Sequence, residues 1–152
     1  MKKYIILLIS IIIDGLIPSL TLYQFNNLTF FTPLCTVVSL IVLYDKKNYI
    51  KLTIITSLLY GGLYMSNILL SFIMFFTIIF IIKFIKGIIE DNFFTIILQI
   101  LIVLFLYDGL FLIINSTLGI VTFNINDYFY KVSHSIIFNL LYGISIFYIY
   151  DY

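Results

Sequence analysis

From Ile5 to Tyr150 the chain passes through one apolar segment after another, each separated from the next by only a few polar residues. A helix needs about 20 apolar residues to cross the hydrocarbon core of a bilayer, and most of these segments approach that length. A water-soluble domain carries roughly a quarter charged residues, whereas this chain is 10% charged and 63% hydrophobic. Lipid is therefore the expected solvent. Within lipid every backbone polar group must find its partner inside the protein, which favours helices over open sheets. The expectation is an all-α integral membrane protein, one transmembrane helical bundle over residues 1–152.

Six spans account for the pattern, at about 4–23, 29–44, 52–65, 67–86, 93–114 and 132–150. Pro33 falls in the first turns of the second span, where a missing N–H costs least. The stretch from Leu52 to Phe84 is too long for one span and short for two. Its polar middle, Gly61-Gly62 and then Ser66-Asn67, predicts two spans meeting near Ser66; one long tilted helix is the alternative. Asn115 to Tyr130 is the longest polar stretch and is expected to be a loop. Met1-Lys2-Lys3 before an apolar run has the opening of a signal peptide. No small-residue cleavage site follows, and Asp14 and Pro18 interrupt the run, so a retained first span is expected.

The lysines set the orientation, because loops rich in Lys stay cytoplasmic. With the N-terminus inside and six crossings, seven of the eight lysines fall on the cytoplasmic side and Lys131 falls outside. Both termini are then expected to be cytoplasmic, and the all-Lys basic residues with heavy use of Ile, Phe, Tyr and Asn point to an AT-rich bacterial genome and so to a bacterial inner membrane.

Intramembrane polar residues are the candidates for function. Asp14 lies near the middle of the first span, where a carboxylate must be protonated, paired or hydrated; it suits a proton or substrate relay, or a tie between helices. Asp108 lies in the outer half of the fifth span, with Lys131 and His134 at similar depth, and either could pair with it. Asp14-Gly15-Leu16, Gly61-Gly62-Leu63 and Asp108-Gly109-Leu110 recur at a spacing of 47 residues, and their glycines mark places where helices can approach closely. Phe72, Phe75, Phe76, Phe80 and Phe84 form a stripe on the fourth span, expected to face lipid or a partner.

Several chemistries find no footing. One His and one Cys cannot supply an ordinary catalytic zinc site. No Gly-rich phosphate loop ends in Lys-Ser or Lys-Thr, and the basic residues are all Lys, so no Arg clamps a phosphate bidentately. No enzyme activity, cofactor, metal or nucleic-acid partner is expected.

The whole chain resembles the rod shape-determining MreD family. The features that carry the resemblance are Asp14 and Pro18 late in the first span, Pro33 opening the second, and the basic loop Asp45-Lys46-Lys47. The span ending Leu58-Leu59-Tyr60-Gly61-Gly62-Leu63-Tyr64, the acid Asp108, and Thr122-Phe123-Asn124 before the last helix complete it. The chain departs from the family at Met65, where an acid is common, and at Leu69-Leu70-Ser71, where Leu-Gly is common. The resemblance implies a non-enzymatic scaffold of the cell-elongation complex that binds a bitopic MreC-like partner. It would work beside the MreB filament, the RodA glycosyltransferase and a class B penicillin-binding transpeptidase in peptidoglycan synthesis. The family is similar in architecture to substrate-binding subunits of energy-coupling-factor vitamin transporters. The alternative function is therefore capture of a small vitamin in an outward cavity near Asp108, His134 and the loop Asn124 to Asp127.

Overall fold

A computed structural model describes residues 2–24, 33–65, 67–89, 92–119, 122 and 124–151, the side chains of 18–24 and 151 excepted. Six helices make up the described chain: α1 Lys2–Gln24, α2 Cys35–Val42, α3 Tyr49–Tyr64, α4 Ile68–Ile88, α5 Phe93–Thr117 and α6 Ile125–Asp151. Three of them are long and apolar enough to cross a membrane, over Ile68–Ile88, Phe93–Thr117 and Ile125–Tyr150. That composition is compatible with a helical membrane protein.

Local sequence explains where α4, α5 and α6 begin. Asn67 opens α4 by accepting from the N–H groups of Leu69 and Leu70. Asn92 opens α5 with a reciprocal box, its side chain accepting from the Thr95 N–H while the Thr95 hydroxyl accepts from the Asn92 N–H. The Asn124 side chain accepts from the Asn126 N–H at the start of α6, and Asp127 in the first turn suits the positive end of the helix. This polar first turn corrects the expected boundary, because α6 begins at Ile125 rather than near Val132. The presumed loop 115–130 is mostly helix ends: α5 runs on to Thr117, then turns at Gly119, whose φ of +70° is the left-handed conformation glycine adopts freely.

The expected turn residue Ser66 lies outside the described residues, as do Phe123 and Phe25-Asn26-Asn27 of the polar sequence Gln24-Phe25-Asn26-Asn27 that separates the first two expected spans. On either side of Ser66, α3 and α4 are separate helices packed against each other. Their contact is close because Gly61 lies against Ser71 and the Ile68 backbone, and because the Ser71 hydroxyl donates to the Ser57 carbonyl at 2.9 Å.

α2 is the centre of the architecture. It has eight residues, all buried, and packs against each of the other five helices. Around it α1, α3, α4, α5 and α6 follow one another as packed neighbours, while α1 and α6 meet through side chains such as Ser10 and Tyr142. At about 12 Å, α2 is far shorter than the span expected over 29–44. It starts only at Cys35, beyond Pro33-Leu34. The apolar core gathers on it, with Leu34, Val38, Ile41 and Leu43 meeting Met74, Phe75, Ile78, Ile100 and Leu104.

The fourth-span phenylalanines do not all share a face. Phe76, Phe80 and Phe84 point outward, but Phe75 is fully buried and meets the Tyr60 ring edge-on at 5.2 Å. The reason is angular: one residue further on rotates the side chain by about 100°.

Glycine has two different roles here. Gly61 and Gly143 each lie where a Cβ would strike a neighbour, the latter against Ile100 and Val38, whereas Gly62 has open space around it. Gly61→Ala and Gly143→Ala are expected to lower stability by about 1–3 kcal/mol through overpacking. Gly62→Ala should be neutral or slightly stabilising. Thermal unfolding of the purified variants in detergent checks all three, and equal behaviour of the Gly61 and Gly62 variants would contradict the packing.

Candidate functional site

An eight-residue helix that starts inside the protein has a problem that the other helices avoid. Its first amide N–H groups have no partner within the helix, and Leu34, at the cap position, offers no side-chain acceptor. Pro33 removes one donor outright. The Leu34, Cys35 and Thr36 donors are met from other helices. Asp14 on α1 accepts from the Cys35 N–H at 2.7 Å through one carboxyl oxygen and from the Thr36 N–H at 2.8 Å through the other. Asn139 on α6 accepts from the Leu34 N–H at 2.8 Å, and its own amide donates to the Ser135 carbonyl. Each buried N–H left unmet would cost about 1–3 kcal/mol. A negative group at a helix N-terminus is favoured besides.

One turn along, a second polar tie joins the same three helices. The Ser10 hydroxyl meets that of Ser39 in a short contact and the Tyr142 hydroxyl at 2.8 Å. Ser10 and Ser39 also lie within hydrogen-bond distance of the Ile6 and Cys35 carbonyls of their own helices, the usual way hydroxyls are satisfied within helices. Beside this tie Gly15 lies directly beneath Tyr64, whose hydroxyl donates to the Ile11 carbonyl at 2.7 Å. A side chain at position 15 would displace that ring. Pro18 lies within α1, and its side chain is among those not described.

The other acid, Asp108 on α5, is 1% exposed and pairs with Lys131 on α6 at 3.3 Å. The lysine keeps 23% of its side chain exposed and lies 5.0 Å over the Phe111 ring. His134 takes no part in the pair. It faces outward, its Nδ1 donating to the Tyr130 carbonyl at 2.8 Å while its ring packs against that of Tyr130. Of the two partners open to Asp108 in the sequence, the lysine holds it. A Cβ at Gly109 would meet the Tyr128 ring only at an ordinary van der Waals distance of 3.8 Å.

The structure thus brings Asp14 and Gly15 together at the α1 side of the centre and leaves Asp108 with Lys131 near the opposite ends of α5 and α6. The three triplets spaced by 47 residues make unlike contacts. Asn139, Ser10, Ser39, Tyr64 and Gly143 belong to the central arrangement, and sequence reasoning missed them. The available signal was the polar residue in mid-span, which lipid makes costly unless it is paired. Gln99 carries the same signal, is fully buried, and among the described residues neither of its amide atoms has a hydrogen-bond partner; nothing in the packing accounts for it. Among the described residues no three of His, Cys, Asp or Glu gather as metal ligands would.

Comparison with protein-family models, curated proteins and solved structures finds no match to this chain. The resemblance to the MreD family rests on the sequence features alone.

Two outcomes follow from the geometry. Asp14→Ala should cost about 2–4 kcal/mol by orphaning two buried donors. Asp14→Asn, with one acceptor oxygen left, should fall between the variant and the wild type in denaturant unfolding. Lys131→Met should destabilise by up to about 3 kcal/mol because a buried carboxylate loses its counter-charge. Adding Asp108→Asn should recover most of that loss, and a double variant no better than Lys131→Met would argue that the pair is not the cause.

Proposed function

We propose that the chain is a non-enzymatic scaffold embedded in a bacterial cytoplasmic membrane, a member of the cell-elongation complex that binds an MreC-like bitopic protein and supports peptidoglycan synthesis and cell shape. The observation that carries this reading is the distribution of side chains. Large apolar residues point outward along the long helices: Leu8 and Ile12, Leu58 and Leu63, Ile73 and Phe80, Ile137 and Leu141. Polar residues are buried instead, among them Ser10, Asp14, Ser39, Thr56, Ser71 and Asn139. A chain with this arrangement suits lipid better than water, and six crossings with both termini cytoplasmic agree with the lysine pattern.

The scaffold reading draws on how the buried polar groups are used. Asp14, Asn139, Ser10 and Ser39 are engaged in tying helices together, and Asp108 in pairing with Lys131. What the chain can offer a partner's span is its outer surface. A substrate-capture role, in the manner of vitamin-transporter subunits, would need a cavity at the Asp108 end. Among the described residues, a cavity there lined by Tyr60, Tyr64, Met65, Tyr107, Phe111 and Lys131 holds about 160 Å³ and one lined by Gly109, Leu112, Ile113, Ile125, Tyr128 and Phe129 about 220 Å³, against roughly 300–1,000 Å³ for typical small-molecule sites.

Affinity purification of the tagged chain from gently solubilised membranes is the direct test. An MreC-like bitopic protein is expected among the co-purified components, and depletion of the chain should make rod-shaped cells round up. Recovery of no such partner, with cell shape unchanged on depletion, would overturn the assignment.

A further inference from the structure

We draw no further inference here: the strongest candidate, the apolar cavity of about 220 Å³ between α5 and α6, with Gly109, Ile113, Ile125 and Phe129 among its lining, carries nothing because nothing in the structure shows what covers it.

Discussion

Everything at the centre of this protein depends on one carboxylate. α2 is short and wholly enclosed, and it begins where no water can reach its first N–H groups. Asp14 meets two of those donors, and Asn139 meets the one before them. A helix that starts in a protein interior is tolerable only on such terms, because irregular backbone at depth must find its partners within the protein. The remaining helices then have a fixed post to pack around. α4, α5 and α6 open on their own asparagines, whereas the start of α2 is met by distant parts of the chain.

That contrast also explains what could be read in the sequence and what could not. Runs of apolar residues are local signals, and they locate α4 and α5 to within a few residues, but the start of α6 was missed because polar Asn124-Ile125-Asn126-Asp127 looked like loop when it is a first turn. Asp14 was legible as a residue needing a partner. Its actual partners, two backbone amides, leave no trace in side-chain identities and so could not be named. The extent of α2 was hidden for the same reason: hydropathy continues smoothly through 29–44, and nothing in it reports that the helix begins only at Cys35. Asp108 offered a choice between Lys131 and His134 that depth alone could not decide, since positions 131 and 134 lie close to one another on a helix and the choice rests on which faces α5.

The two ends of the molecule differ in how they hold charge. At one, a single acid is buried against a single lysine, and the opposite charges nearly cancel. At the other, Lys3 pairs with Asp45 while Lys83 and Lys86 lie over the rings of Tyr49 and Tyr44. The first arrangement fastens two helices within the core, and the second ties the exposed ends of helices together.

The cap on α2 has a consequence for how the protein is made. Leu34 waits for an acceptor that comes 105 positions later in the chain. At synthesis rates of about 5–20 residues per second, many seconds separate the emergence of the donor from that of Asn139. Until then the middle of the nascent protein cannot settle, however early the first helix is in place. α6 therefore completes the core, and a product truncated before Asn139 retains an unsatisfied amide at its heart.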